Sequence, residues 1–261
     1  MKRNAWVYVS ALMMVAVYAR AEIQLKEVEY RDGDVLLQGY LAWDAAVAGP
    51  RPGVLIAHAW MGPGDHEQRR ARELAGLGYA AFVLDLYGKG VRPADAQEAG
   101  KLAALYKGDR ELMRRRARAG LDALAREEVC AGRPLAAIGY CLGGTVVLEL
   151  ARSGAPLAGT VSFHGGLATP NPEDARQIQG AVLVLHGADD PHVPAEEVRA
   201  FQDEMRAAGA DWQLVSYGGA VHSFTDPGAG GDPARGAAYN AAADRRSWQA
   251  MRDFLGERLR P

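Results

Sequence analysis

The stretch Gly139-Tyr140-Cys141-Leu142-Gly143-Gly144 constrains this chain more than any other. It has the form Gly-x-nucleophile-x-Gly, with cysteine in place of serine. Ahead of it, residues 134–138 are a short apolar run of strand length, and behind it residues 145–152 have helical character. A turn between a buried strand and a helix lifts a reactive side chain above the end of a sheet, and that context makes a short motif credible. The glycines of such an elbow let two backbones pass closely, while the apical residue is held strained and exposed. A cysteine there also lies at a helix N-terminus, whose dipole favours a thiolate. The competing reading of the same six residues is a buried cysteine that fills space.

The remaining pattern supplies a sheet for the elbow. Residues 23–30 and 35–42 alternate around Asp32-Gly33, a hairpin signal that predicts an antiparallel start. After Pro50 and Pro52, residues 54–57 are the continuous apolar run of a strand covered on both faces. A helix is predicted over 67–77, closed by Gly78, then a strand over 80–85 and a Gly-containing loop over 86–92. Helical segments 94–106 and 109–128 lead to the strand before Cys141. Beyond the elbow, 158–163, 181–186 and 212–216 read as strands, and 194–208 and 240–258 as helices. Alternating strands and helices predict an α/β fold: a mainly parallel sheet with an antiparallel N-terminal hairpin and helices on both faces. The Gly/Ala/Pro-rich loop 226–238 is a candidate flexible flap over the site.

A chain of 261 residues with 49% hydrophobic composition can build this as a single domain, expected over 22–261. A net charge of −2 gives no reason to expect nucleic acid or an anionic membrane as partner. Lys2 and Arg3, the apolar run 5–18 and Ala19-Arg20-Ala21 fit a secretory signal over 1–21, with cleavage near Ala21 and a periplasmic or secreted product. The apolar run falls short of the ~20 residues that span a bilayer, so no stable membrane insertion is expected after cleavage. Of the two cysteines, Cys130 precedes the strand that ends at Cys141, so about a strand's length separates the sulfurs and no bridge is expected. A thiol at 141 in an oxidising compartment then needs protection by burial or by its neighbours.

A nucleophilic thiol needs a base, and the base needs an orienting group; both can come from distant loops at the same end of the sheet. Two loops follow strands and carry the right residues: His186-Gly187-Ala188-Asp189-Asp190-Pro191-His192-Val193-Pro194, and Gly218-Gly219-Ala220-Val221-His222-Ser223-Phe224. Cys141 as nucleophile, His222 as base and Asp190 as orienting acid run in the chain order of α/β-hydrolases. Asp190 is preferred because it directly precedes Pro191, while Asp189 reads as a turn residue. Backbone N–H groups of Leu142 and Trp60 are the expected oxyanion hole. His58, Tyr87, Lys89, His164 and Phe224 are candidate substrate contacts, with His164 and His186 also readable as structural. The scattered histidines and cysteines carry no metal-binding spacing, so neither metal nor cofactor is expected.

Taken together these pieces resemble the dienelactone hydrolase family. The resemblance rests on Gly139 to Gly144, on Leu74-Ala-Gly-Leu-Gly-Tyr-Ala-Ala81 running into Leu84-Asp-Leu-Tyr-Gly88, on His186 to Pro194, and on His222-Ser-Phe224. It covers most of the chain beyond residue 54 and implies a Cys141–Asp190–His222 triad acting on a small ester or lactone through an acyl-thioester. Two departures bear on activation and substrate. The family's best-known members carry a glutamate that activates the cysteine, at a position that here looks like Ala59. Their carboxylate-binding arginines correspond to Lys89 and to Thr225-Asp226, which cannot form a bidentate clamp, so the dienelactone itself is not the expected substrate. Rival readings are a non-catalytic scaffold that binds a small molecule and a thioesterase or acyltransferase on the same fold.

Overall fold

Alternation in the first two strands produces the hairpin: β1 (Ile23–Asp32) pairs antiparallel with β2 (Val35–Asp44), from Ile23 opposite Asp44 to Asp32 opposite Val35. Gly33 turns the corner at φ +57°, a left-handed conformation that glycine adopts without a Cβ penalty. The computed structural model describes residues 21–259; the predicted signal segment, apart from Ala21, lies outside the described residues.

Five strands are buried along their whole length: β3 (Gly53–Ala57), β4 (Ala80–Val83), β5 (Leu135–Tyr140), β6 (Gly159–Phe163) and β7 (Ala181–Gly187). Such strands need cover on both faces. β8 (Trp212–Tyr217) is half-buried and forms one edge, with β1 at the other. The order is β1-β2-β4-β3-β5-β6-β7-β8, with β2 antiparallel to β4 and every later pairing parallel. The expected antiparallel hairpin on a mainly parallel sheet is what the chain forms.

Helices α1 (Asp65–Gly76) and α6 (Ala241–Leu259) pack Leu74, Met251, Phe254 and Leu255 on one face, against Val54, Ile138, Val161 and Leu183. On the other face, α2 (Ala96–Gly108), α3 (Arg110–Arg126) and α4 (Leu142–Arg152) cover Leu55, Phe82 and Ala137. There α5 (Ala195–Ala208) closes Val182 and Val184 with Phe201 and Met205. Among the described residues no helix is long and apolar enough to cross a membrane.

The ends of the elbow's strand and helix lie closer to Cys141 than the apolar runs alone mark them, and one local expectation needs correction. β5 runs through Gly139 and Tyr140, which pair with Ser162 and Phe163, and α4 starts at Leu142, so strand and helix meet directly at Cys141. The low helix propensity of Gly143 and Gly144 hid this start. The loop expected to be a flexible flap is instead built on two 3-10 turns, Pro227–Ala229 and Pro233–Arg235, capped by the carboxylates of Asp226 and Asp232. Its far end is fastened to His222: the His222 N–H donates to Gly236 O (3.2 Å) and the Ala238 N–H to His222 O (3.0 Å).

Candidate active site

Cys141 has φ +55° and ψ −116°, outside the regions an L-residue prefers, and the elbow around it is close-packed enough to impose this. A Cβ on Gly139 would lie 2.0 Å from Gly143 O, and one on Gly143 would lie 2.1 Å from Ala57 O. Both glycines therefore mark places where backbones touch. The Cys141 N–H donates to Phe163 O and to His164 Nδ1, each at 3.1 Å, which anchors the strained residue to β6.

Three separate loops converge on the sulfur. His222 Nε2 is 3.1 Å from Cys141 Sγ, and His222 Nδ1 is 2.8 Å from Asp190 Oδ2. Asp190 is buried, and its other oxygen accepts the His192 N–H at 2.8 Å, so the carboxylate cannot swing away from the imidazole. Asp189 turns elsewhere and accepts the Gly219 N–H at 3.0 Å, which separates the two neighbouring aspartates by geometry.

The electrostatics favour an ion pair. For Cys141 burial pushes the thiol up, but the hydrogen bond and charge of His222, the Leu142 N–H and the Lys107 charge outweigh it and hold the thiol below its ordinary range. For His222 burial acts downward, and hydrogen bonds to Asp190 and Cys141 together with their charges raise it to about 10. Both shifts point to thiolate and imidazolium, titrating as a pair.

Leu142, the first residue of α4, directs its N–H at the sulfur end of the elbow. The Trp60 N–H has no partner among the described residues, while the Trp60 carbonyl accepts the Tyr87 hydroxyl at 2.8 Å. The Trp60 segment follows Ala57 and His58, whose carbonyls press on Gly143, so it passes beside the elbow. These N–H groups are available to a developing oxyanion.

The other candidate residues separate into a few roles. His164, with φ +41°, ties Cys141 N to the Thr225 hydroxyl, which is 2.8 Å from its Nε2, and burial keeps its ring neutral. His58 is buried rather than presented to substrate: Nδ1–H donates to Ala59 O (2.6 Å) and Nε2 accepts the Leu86 N–H (3.1 Å). Phe224 is likewise core, packed edge-on to His164 and against Tyr217. Lys89 pairs with Glu29 of β1, which removes it as a free cation for a substrate carboxylate. Tyr87 remains beside the site through its bond to Trp60 and its electrostatic contact with Cys141. His186 is buried in β7.

Cys130 and Cys141 are both free and stand at opposite ends of β5. Among the described residues no three His, Cys, Asp or Glu side chains are grouped to hold a metal.

Glu67 was not singled out from sequence. Its carboxylate is buried and accepts the Ala59 N–H with Oε1 and the Gly64 N–H with Oε2, both at 3.1 Å. Burial pushes it up to about 7, against the hydrogen bonds from Ala59, its own backbone and Gly64 that favour the charged form. A Gly64-x-x-Glu67 spacing before a helix is a capping signal, but the second bond, to Ala59, is visible only in the folded loop.

This sheet order, with a cysteine elbow facing a histidine and an aspartate from later loops, defines an α/β-hydrolase fold. Residues 37–259 match the family model described as the dienelactone hydrolase family, and the chain belongs to that family. It is similar to a dienelactone hydrolase-like promiscuous phosphotriesterase from metagenomic libraries, at 45% identity and a TM-score of 0.86 over 92% of this chain and all of that one. The structure of m3DLH is 44% identical, with a TM-score of 0.86 over 91% of this chain and 99% of its own. A putative carboxymethylenebutenolidase of Yersinia pestis is 29% identical over 84% of this chain and 83% of that protein.

Proposed function

We propose that this member of a hydrolase family cleaves small esters or lactones with Cys141 as nucleophile and an acyl-thioester as intermediate. The observation that carries the reading is the continuous line from Asp190 Oδ2 through the His222 ring to Cys141 Sγ, with spacings of 2.8 and 3.1 Å. The thiolate attacks the carbonyl carbon, and the resulting oxyanion lies against the Leu142 and Trp60 N–H groups. Imidazolium at 222 passes its proton to the leaving alkoxide, which leaves the acyl group on sulfur and His222 neutral. His222 then takes a proton from water, hydroxide adds to the thioester carbonyl, and collapse expels the thiolate and re-forms the ion pair. Asp190 stabilises the imidazolium and fixes the ring throughout.

Substrate preference follows from the charges nearby. With Lys89 paired to Glu29 and Thr225-Asp226 at the second position, neither position that resembles the family's carboxylate-binding arginines offers a bidentate clamp, and the Lys107 charge that acts on Cys141 is a point charge, which supports neutral esters and lactones over carboxylated ones. Trp60 and Met61 are 38% and 44% exposed on the segment beside the elbow and offer apolar surface to the substrate. The name of the metagenomic relative makes neutral phosphotriesters the second class to assay. The test is turnover of short-chain p-nitrophenyl esters and lactones under reducing conditions. Wild type is expected to turn over, with Cys141→Ala and His222→Ala near background; equal rates in all three would refute the assignment.

A further inference from the structure

We propose that Glu67 is the positioning residue of the oxyanion hole, holding the segment from Ala59 to Gly64 so that the Trp60 N–H stays free and aimed. This rests on the cysteine-hydrolase reading. A backbone donor is useful in an oxyanion hole only if its peptide is fixed before charge develops, since reorientation during the reaction would consume the stabilisation it provides. The two peptides that meet at Trp60 are each anchored through their carbonyls. The Ala59 carbonyl shares its peptide plane with the Trp60 N–H and points the opposite way; it accepts His58 Nδ1–H at 2.6 Å and the Gly62 N–H at 3.1 Å. The Trp60 carbonyl, in the next peptide, accepts the Tyr87 hydroxyl at 2.8 Å.

In the peptide before it, between His58 and Ala59, the carbonyl lies against Gly143 and the N–H is held by Glu67: the Ala59 N–H meets Oε1. Oε2 meets the Gly64 N–H at the far end of the segment, so one carboxylate ties the two ends together. Glu67 is the third residue of α1, so a helix packed on the sheet sets where the carboxylate sits. A helix cap needs only the Gly64 bond. The bond to Ala59, and the burial of a charged group to make it, are unexplained by capping and are accounted for by control of the neighbouring donor. The family's activating glutamate is absent at Ala59, and the carboxylate that does reach residue 59 touches its backbone rather than the thiol.

Glu67→Gln keeps the volume but replaces one acceptor with an amide N–H₂ that faces a backbone N–H. The experiment compares two reactions of the same sulfur. Acylation by p-nitrophenyl acetate develops an oxyanion, whereas alkylation by iodoacetamide does not. Relative to wild type, Glu67→Gln is expected to acylate about tenfold more slowly, less than the loss of a whole oxyanion donor. Its alkylation rate should stay unchanged. Equal acylation in the two proteins would overturn the inference, as would acylation and alkylation falling together, since that pattern marks a general structural role. A wild type that alkylates but never acylates would instead sink the hydrolase reading and this inference with it. Should Glu67→Gln fail to fold, Glu67→Asp, whose shorter arm cannot span both N–H groups, carries the same comparison with the same outcomes.

Discussion

At Cys141 two opposed influences decide the charge of the sulfur: burial disfavours the thiolate, and His222 with the Leu142 N–H favours it more strongly. Removing His222 leaves burial largely unopposed. In His222→Gln the pH at which iodoacetamide alkylation reaches half its maximum should therefore rise above the ordinary thiol value of 9.0, whereas in wild type it lies below it. An unchanged inflection would show that the pair is not coupled. Glu67 has the opposite sign. Its carboxyl is raised from 4.5 to about 7 in the folded protein, so the folded state binds the proton more tightly than the unfolded chain. Its contribution to stability is fully present below 4.5 and is lost as pH rises through 7, on the order of 3 kcal/mol. Denaturant titrations of wild type across that window should show this decline, and Glu67→Gln should lack it. Cys141, His222 and Asp190, which the fold brings within hydrogen-bonding distance of one another, could be picked out as candidates from sequence because each stands in the turn or loop that follows a strand. His58, Phe224 and Lys89 also stand in such loops, yet the fold buries the first two and gives the third to Glu29, contacts that no local pattern announces.

The elbow as an element depends on absent side chains. A Cβ on Gly143 would strike a backbone carbonyl of β3, which cannot rotate away, so Gly143→Ala is expected to cost about 3 kcal/mol and to disturb Cys141. Gly100, inside α2 and facing open space, supplies the control: Gly100→Ala should stabilise by about 0.5–1 kcal/mol. Chemical denaturation of both variants checks the contrast, and similar values would mean that the close approach is not the constraint. The strand and helix flanking Cys141 were legible from apolar runs, but their ends were not. Gly139, Gly143 and Gly144 read locally as a turn, while the contacts that require the last two are made with β3 and β6, outside the motif, and Gly139 is required by its own close approach to Gly143 O. The loop 226–238 shows the same limit: its composition reads as flexible, and its order comes from two capping aspartates and from pairing with His222.

Across the whole molecule, the helical face behind the elbow is joined by a buried charge network. Arg152 bonds Glu149 (3.0 Å), both oxygens of Glu204 (2.7 and 2.8 Å) and the Leu167 carbonyl (2.9 Å), while Glu149 also meets Arg114 of α3 at 2.9 Å. In sequence these charges look like the solvated sides of helices; only the stacking of α3, α4 and α5 on one sheet face buries them. Arg152→Met would leave Glu149 and Glu204 short of a partner and should cost about 3–5 kcal/mol in a denaturant titration. Sheet class and the hairpin were legible because alternation and continuous apolar runs report burial on one face or two. The path that places β4 between β2 and β3 depends on contacts between strands and lies beyond local pattern. The architecture brings Cys141, Asp190 and His222 to one end of the sheet, the end proposed to carry out acyl transfer through sulfur. The most direct test of that proposal is acid-quenched mass spectrometry of the protein mixed with an activated acetyl ester, followed by peptide mapping. A transient acetyl group on Cys141 should form and decay at the rate of turnover and be absent in Cys141→Ala; turnover with no adduct at Cys141, or with an adduct elsewhere, would rule out the thioester route.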